Sequence, residues 1–340
     1  MSNSIRILIT GVAGFIGSNL AAALLERGYH VVGLDNMSQG TQLNIASFIS
    51  HPAFEMHYAD IRDEQATLAS AHECSAIVHL AAYKIPRYTD ALDTLLINSL
   101  GSQNIAKAAQ DNKAKLVAAS TSDVYGKSPH IPFSEDSPSV IGSPDVKRWA
   151  YAVSKMFEEQ LLFAYHERYG IDTVLLRFFG GYGPNQNLTW WGGPQSVFIN
   201  CALENREMEI HGDGQQSRSF TYITDHIDGI IRAIENPAAN NKVFNIGNTR
   251  EITIEQLARM IWKLIRANDP VKLKFTPYQS FGKYEDVIRR VPDIDRARSI
   301  LGFNPKIDLE TGLPLTIEWQ VSRRKTLNQQ PISDIQSQSS

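Results

Sequence analysis

The chain has 340 residues, of which 43% are hydrophobic, and a formal net charge of −3. This composition allows a large core in one or two domains and excludes a basic surface that would attract nucleic acid or acidic membranes. Its two cysteines, Cys74 and Cys201, lack metal-ligand or disulfide spacing, which is typical of a cytoplasmic protein without a metal site. We expect no signal peptide, because the first strand begins at residue 5, and no membrane span, because no apolar run reaches ~20 residues.

A strand, a glycine-rich turn and a helix are predicted at residues 5–26. The apolar run is followed by Gly11, Gly14 and Gly17. In a dinucleotide-binding turn, the first glycine permits the sharp bend, the second lets backbone approach a pyrophosphate, and the third lets the helix pack closely. The helix N-terminus then offers N–H groups and a positive dipole end to phosphates. We include Phe15 and Ile16 among the cofactor-binding candidates.

The second strand, residues 30–35, ends at Asp35, 18 residues after Gly17. A carboxylate there can hold both hydroxyls of an adenosine ribose and would repel a 2′-phosphate. The sequence therefore favours NAD over NADP, with Asn36 as a further contact. The alternative is that Asp35 only caps a turn.

Strands and helices then alternate, which predicts an α/β fold with a Rossmann-type, doubly wound parallel sheet. The predicted strands are residues 54–59, 76–80, 115–119 and 171–177, and the predicted helices are 95–109 and 149–169. We assign residues 1–178 to the NAD-binding domain and 179–322 mainly to a smaller substrate-binding lobe that partly returns to the sheet. Residues 323–340 are polar and rich in Gln and Ser, which predicts a disordered tail.

Tyr151 and Lys155 lie four residues apart on a predicted helix and so share a face. A phenol is a poor base at neutral pH, but a neighbouring ammonium favours the phenolate. Tyr151 could then take a proton from a sugar hydroxyl, and Lys155 could bind the nicotinamide ribose. Tyrosine and lysine at this spacing also occur on ordinary helix surfaces.

Residues 120–126, STSDVYG, follow a predicted strand at the edge where such sheets bind ligands. Thr121 could hydrogen-bond the reacting oxygen, Asp123 could be a second acid or base, and Ser122 could contact substrate. The alternative is an ordinary turn rich in Ser, Thr and Asp.

Together these motifs resemble the extended short-chain dehydrogenase/reductases that modify nucleotide sugars, from Ile5 to about Trp319. The resemblance implies a bound NAD, a sugar oxidised at carbon 4 to a ketone, and homodimers formed through helices 95–109 and 149–169. It also implies contacts to NAD from Asp60 and Ile61, which would flank the adenine, and from Leu80, Ala81 and Ala82. Arg218 would reach the nucleotide diphosphate, unless it is simply a surface arginine.

Three features are similar to the UDP-glucuronate decarboxylases within that family. They are STSDVYG, the run Lys147-Arg148-Trp149 before Tyr151, and Arg290 just before Val-Pro-Asp-Ile. The resemblance implies that Arg290 helps to bind a carboxylate or to protonate the product. Tyr88 resembles, more loosely, a substrate-contacting tyrosine of the same enzymes.

Other positions depart from the family pattern. Gly180 replaces an asparagine that normally contacts substrate phosphate, and Asn185 replaces an arginine. Trp190 and Trp191 could stack on a base or sugar, or could fill the interface between lobes. Lys84 and Arg87 put two cations beside the expected substrate site, or are solvated charges.

The favoured function is decarboxylation of UDP-glucuronate through a 4-keto intermediate. A UDP-sugar 4-epimerase comes second and a 4,6-dehydratase third, and a nucleotide-binding regulator without activity is the remote alternative. The expected partners are a UDP-linked sugar and a second copy of the chain.

Overall fold

The computed structural model describes residues 5–84 and 90–329. Their strands, in chain order, are β1 Arg6–Thr10, β2 His30–Asp35, β3 Phe54–Tyr58, β4 Ala76–His79, β5 Lys115–Thr121, β6 Thr173–Phe178, β7 Gly181–Tyr182, β8 Met208–His211, β9 Ser217–Ser219, β10 Thr221–Tyr222, β11 Lys242–Ile246, β12 Glu251–Thr253, β13 Leu273–Thr276 and β14 Arg289–Arg290. Their α-helices are α1 Phe15–Glu26, α2 Gln42–Ile45, α3 Glu64–Ser70, α4 Ala91–Asn112, α5 Trp149–Tyr169, α6 Pro194–Leu203, α7 Ile223–Glu235, α8 Ile254–Ile265 and α9 Leu309–Gln329.

A seven-stranded parallel sheet organises the chain, in the order β11-β6-β5-β4-β1-β2-β3. This confirms the predicted doubly wound α/β fold. The chain moves outward in one direction from β1 and in the other from β4, so the strand order reverses between these two neighbours. Ligands of such sheets bind beyond the carboxyl ends of the strands at this reversal.

The sheet is covered on both faces, as its apolar strands require. Successive side chains of β1 point to opposite faces. Ile7 and Ile9 belong to the same core cluster as Leu20 of α1, whereas Leu8 belongs to the cluster that contains Ile105 of α4. The sheet therefore lies between two helical layers and positions the loops at its carboxyl edge.

The small strands beyond Gly180 form separate sheets, except that β11 joins the large one. β12, β9 and β14 form a three-stranded sheet, while β10 pairs with β7 and β13 with β8. Through the β9–β14 pairing, Arg290 lies opposite Arg218. This pairing brings two distant arginines to the same side of the cavity.

The prediction of a disordered tail from residue 323 is wrong for residues 323–329. These residues continue α9, which ends at Gln329. The helix persists because its side chains find partners on the rest of the fold, including Arg324 with Glu204 of the α6 region. Residues 330–340 lie outside the described residues.

Candidate active site

A cavity of about 690 Å³ opens at the carboxyl edge of the sheet, where the strand order reverses. Most of the residues proposed from the sequence line it, from the glycine turn at one end to Arg218 and Arg290 at the other. Those that line it are Gly11, Gly14, Phe15, Ile16, Gly17, Asp35, Asn36, Asp60, Ile61, Leu80, Ala81, Ala82, Lys84, Thr121, Ser122, Asp123, Tyr151, Lys155, Arg218 and Arg290. Arg87 and Tyr88 lie outside the described residues.

The glycine turn fits a dinucleotide because side chains are sterically excluded from it. Gly11 has a φ of +72°, and a Cβ there would lie 2.9 Å from the backbone nitrogen of Ala81. A Cβ on Gly17 would lie 2.1 Å from the carbonyl oxygen of Gly11. Gly14 caps α1 without a side-chain hydrogen bond, which leaves the helix N-terminus open to an anion.

Asp35 is held with its carboxylate at the cavity wall. Oδ2 accepts a hydrogen bond from the backbone of Ala13 at 2.9 Å, and Oδ1 accepts one from Met37 at 2.8 Å. Burial raises the pKa of Asp35, and these two N–H groups oppose the shift. One oxygen of the carboxylate is thus fixed by the glycine turn and the other by the segment that follows β2.

The next part of the cavity wall lies beside Asp35. The side-chain amide of Asn36 donates to Asp60 at 2.9 Å, and hydrogen bonds from Arg62 lower the pKa of Asp60 to about 2. Ile61 packs against Gly101 of α4, where a Cβ would lie 2.3 Å from the isoleucine Cδ1. This arrangement forms a partly polar, partly apolar pocket suited to an adenosine.

Tyr151 and Lys155 project from α5 towards the end of β5, where Thr121 lies. Burial, reinforced by the negative charges of Asp123 and Glu158, raises the pKa of Tyr151 above its ordinary value. The ammonium of Lys155 donates instead to Glu158 at 2.5 Å, with both side chains 1% exposed. Glu158 therefore partly offsets the charge of Lys155, and the expectation that the ammonium and the nicotinamide ring together favour the phenolate stays a prediction.

A buried polar chain continues from Lys155 to the strand before the glycine turn. Thr10 Oγ1 accepts hydrogen bonds from the backbone of Leu80 and Ala81 and lies 2.7 Å from His79 Nδ1. The hydroxyl proton is therefore directed to Nδ1, which leaves the ring proton on Nε2. That nitrogen lies 3.7 Å from Glu158 Oε1. The lysine is thus linked to the cofactor side of the site by charge and by hydrogen bonds.

An arginine–carboxylate cluster occupies the other end of the cavity. Asp123 Oδ1 lies 2.9 Å from Arg290 Nη2 and 3.3 Å from Arg148 Nη2. Burial alone would raise the pKa of Asp123, but the positive charges of Arg290 and Arg148 outweigh it, and the pKa is lowered. Burial lowers the pKa of Arg290 to about 10.

Asp286 completes this cluster. Its Oδ1 accepts hydrogen bonds from Arg148 Nη1 at 2.7 Å and Arg218 Nη2 at 3.0 Å, while Oδ2 accepts one from the hydroxyl of Tyr278. Three arginines face two carboxylates, so the cluster carries one net positive charge. Within the described residues, the buried Nε of Arg290 has no hydrogen-bond partner. The cluster can therefore accept a further anionic group.

The two tryptophans have different surroundings. The ring of Trp191 contacts Tyr83 edge-on, with centroids 5.3 Å apart, and both residues line the cavity beside Lys84. Trp190 stacks on His211 at 4.9 Å, packs against the large apolar core and also lines the cavity. Both tryptophans are thus available to a ligand, and Trp190 in addition joins the cavity wall to the core.

Gly180 and Asn185 have local explanations. A Cβ on Gly180 would lie 2.3 Å from the carbonyl oxygen of Ser219, so this backbone has no room for the family's asparagine. Asn185, with a φ of +67°, donates to the hydroxyl of Ser18 on α1 and accepts from Arg323 on α9.

Four residues of the site escaped the sequence analysis as candidates: His79, Arg148, Glu158 and Asp286. Glu158 lies three residues after Lys155 on the same helix, and this spacing was the available signal. Asp286 had none, because its arginine partners lie 68 and 138 residues away.

The described residues include neither a candidate metal site nor a membrane-spanning helix. Residues 5–84 and 90–329 contain no group of three or more His, Cys, Asp or Glu side chains placed to hold a metal ion. None of the helices in those same ranges combines the length and apolarity needed to cross a membrane.

Comparison with known proteins agrees with this geometry. The sequence profile of the GDP-mannose 4,6 dehydratase family matches residues 8–316. A UDP-N-acetyl-alpha-D-glucosaminuronate decarboxylase of Bacillus cytotoxicus is 33% identical, over 92% of this chain and 97% of its own. UDP-glucuronic acid decarboxylase 3 of Arabidopsis thaliana is 35% identical, over 93% and 89%.

A solved structure with a similar fold also binds a nucleotide sugar. The structure of UDP-glucuronic acid 4-epimerase from Bacillus cereus, in complex with UDP-glucuronic acid and NAD, superposes with a TM-score of 0.84. It is 30% identical and covers 94% of this chain and 100% of its own. The glycine turn, Asp35 and the Tyr151–Lys155 pair fit the NAD that this family uses. The chain belongs to the NAD-dependent nucleotide-sugar epimerases and dehydratases of the extended short-chain dehydrogenase/reductases.

Proposed function

We propose that the protein decarboxylates a UDP-linked uronic acid through a 4-keto sugar. The observation that carries the proposal is the net positive arginine cluster around Asp123, next to Tyr151 in the same cavity. A neutral sugar has no charge to match the unpaired Nε of Arg290, whereas a sugar carboxylate has. The decarboxylases similar to this chain support the same reaction.

Bound NAD would supply the oxidant for sugar carbon 4 and a positive ring beside Tyr151. The phenol oxygen of Tyr151 takes the proton of the 4-hydroxyl, and Thr121 can donate a hydrogen bond to the same oxygen. Burial and the negative charges of Asp123 and Glu158 raise the pKa of Tyr151, so the chain alone keeps it protonated at neutral pH. Tyr151 would accept the proton as a phenolate, the form that the positive nicotinamide ring would favour.

The ketone at carbon 4 then permits loss of the adjacent carboxylate. The bond between carbon 5 and the carboxyl carbon breaks, carbon dioxide leaves, and the electron pair forms an enolate on the 4-oxygen. A proton must next reach carbon 5. Asp123 has a lowered pKa and is ionised at neutral pH, so Arg290, whose pKa is about 10, is the better donor. Reduction of carbon 4, with return of the proton from Tyr151 to the 4-oxygen, would complete the reaction, and a proton from solvent would restore Arg290.

A 4-epimerase of the same acidic sugar is the second candidate. It is supported by the similarity to the Bacillus cereus epimerase, whose structure contains UDP-glucuronic acid. Both enzymes need a cation for the carboxylate, and they differ in whether the carbon–carbon bond breaks.

The deciding experiment incubates the purified protein with NAD and, in separate reactions, UDP-glucuronate, UDP-N-acetylglucosaminuronate and UDP-glucose. We expect carbon dioxide from at least one acidic sugar, together with the corresponding pentose product. Interconversion of acidic sugars at carbon 4 without carbon dioxide would replace the decarboxylase with the epimerase. Turnover of UDP-glucose alone would contradict both.

We also propose a homodimer formed through α4 and α5. Leu92, Leu96 and Leu100 repeat every four residues along α4, and each is at least 44% exposed. Val153 and Phe157 are similarly exposed on the neighbouring helix α5. Such an apolar stripe across two packed helices is typical of a buried interface.

We place the enzyme in the cytoplasm. The free and buried thiols of Cys74 and Cys201 support this location.

A further inference from the structure

Arg323, near the end of α9, contacts two side-chain amides beside the glycine turn. Its Nη2 donates to Asn44 Oδ1 at 2.9 Å and to Asn185 Oδ1 at 2.8 Å. The guanidinium also lies over the ring of Trp319, 5.2 Å from its centroid. One half-buried arginine thus joins the last helix to α2 and to the loop that contains Asn185.

The side-chain amides of Asn44 and Asn185 each connect Arg323 to the glycine turn by further hydrogen bonds. Asn44 Nδ2 donates to the carbonyl oxygen of Ala13 at 2.9 Å, between Gly11 and Gly14. Asn185 Nδ2 donates to Ser18 Oγ, which in turn donates to the carbonyl oxygen of Gly14 at 2.7 Å. The turn is therefore held from both sides by chains of hydrogen bonds that meet at Arg323.

The charge of Arg323 is not neutralised by a carboxylate in the described part of the chain, and burial lowers its pKa. Its neighbour Arg324 differs, because it pairs with Glu204 and Asn200 of the α6 region. Arg323 does not line the cavity. Any effect on a bound dinucleotide must therefore pass through the turn and through the field of the unneutralised charge.

We propose that Arg323 is a positioning residue for the cofactor, which fixes the glycine turn for the NAD pyrophosphate through Asn44 and Asn185. Preorganised backbone N–H groups bind an anion more tightly than mobile ones, since less conformational freedom is lost on binding. The residue acts on NAD affinity and not on recognition of the sugar nucleotide, whose arginine cluster lies at the other end of the cavity.

The test measures the Kd of NAD and, separately, of UDP for the purified protein freed of nucleotide. Arg323→Ala should raise the Kd of NAD about tenfold, as expected for the loss of a hydrogen bond to a charged group. It should leave the Kd of UDP unchanged. Arg324→Ala is the matched control and should leave both within about twofold. Equal NAD losses in the two variants, or an unchanged Kd in Arg323→Ala, would overturn the proposal.

Asn44→Ala tests the same path without touching α9, and it carries the test if Arg323→Ala does not fold. Asn44→Ala should also weaken NAD binding. In the double variant of Arg323→Ala and Asn44→Ala, the Kd of NAD should rise by less than the product of the two single effects, because both residues act in one chain of hydrogen bonds. Fully multiplicative effects, or a wild-type Kd in Asn44→Ala, would show that the path through Ala13 does not hold the turn.

Discussion

The carboxylate of Asp123 lies 2.9 Å from the guanidinium of Arg290. Asp123 follows the central strand β5, whereas Arg290 lies in the small strand β14, more than a hundred residues later. The pairing keeps the aspartate ionised and the arginine within reach of the cavity. The Nε of Arg290 still has no hydrogen-bond partner among the described residues.

Arg290→Ala should impair turnover of an acidic sugar far more than binding of UDP alone. Loss of one partner of a buried charged pair costs roughly 2–5 kcal/mol, which corresponds to at least about 30-fold in kcat/KM. Carbon dioxide release from UDP-glucuronate measures it. Arg289→Ala is the control, since Arg289 pairs with Glu251 outside the cavity lining. Similar losses in both variants would remove the special role of Arg290.

Tyr151→Phe should abolish turnover while NAD stays bound, because the substitution removes the proton acceptor and keeps the ring. The expected loss in kcat is on the order of 10²-fold or more. Tyr165→Phe makes the same change further along α5, where Tyr165 contacts Tyr169, and should be nearly silent. Near wild-type kcat in Tyr151→Phe would mean that another group accepts the proton.

Asp35→Asn should relax discrimination against NADP while keeping the shape of the side chain. The amide no longer repels a 2′-phosphate, and its remaining carbonyl satisfies only one of the two backbone N–H groups now bound. We therefore expect weaker binding of NAD and relatively stronger binding of NADP, measured by titrating the variant with each cofactor in turn. Asp63→Asn, which changes the cap of α3, is the control. An unchanged NAD-to-NADP ratio would place Asp35 away from the ribose.

The charge of Asp286 should make the free energy of unfolding depend on pH in the acidic range. Its folded-state pKa is lowered from 3.8, because the charges of Arg218 and Arg148 outweigh the effect of burial. A depressed carboxyl pKa stabilises the fold above the unfolded value, and this contribution is lost as the pH falls below about 3.8. Asp286→Asn should cost about 3–5 kcal/mol at neutral pH.

The free energy of unfolding, measured in urea across this pH range, checks the Asp286 prediction. The difference between wild type and Asp286→Asn should shrink as the pH falls. Asp111→Asn, at an exposed position on α4, should track the wild type throughout. A difference that stays constant with pH would show that the arginines do not hold the charge of Asp286.

Phe157→Glu should separate the proposed dimer into monomers, because it buries a charge in the apolar stripe of α4 and α5. Sedimentation at micromolar concentration measures the mass. Leu264→Glu introduces the same charge at another exposed apolar position, on α8, and should leave the mass unchanged. A monomeric wild type would contradict the interface outright.

The large sheet was predictable because its signals are local. Apolar runs separated by helical patterns gave its first strands in order, and the bounds of α5 were predicted without error. The β11 strand was harder to place, since a short apolar run does not say which neighbour it pairs with. The structure pairs it with β6.

The candidate site divides in the same way. Gly11, Asp35, Tyr151 and Lys155 could be identified because each motif lies within one stretch of chain. The contacts of Asp286 and Arg323 could not, because they join segments that only the tertiary fold brings together. The prediction of disorder at the end of α9 was wrong because it rested on polar composition. A polar segment cannot form an apolar core of its own, but its composition does not show whether its side chains find polar partners elsewhere in the fold.

The position of β11 has a consequence for dividing the chain. This strand comes from the region assigned to the second lobe, yet it covers β6 at the margin of the large sheet. In a fragment that ends near residue 178, β6 would become an edge strand with unpaired backbone N–H and C=O groups. Unpaired edge strands pair with strands of other molecules and promote aggregation. We therefore expect a fragment of residues 1–178 to aggregate, whereas the chain that includes β11 does not expose this edge.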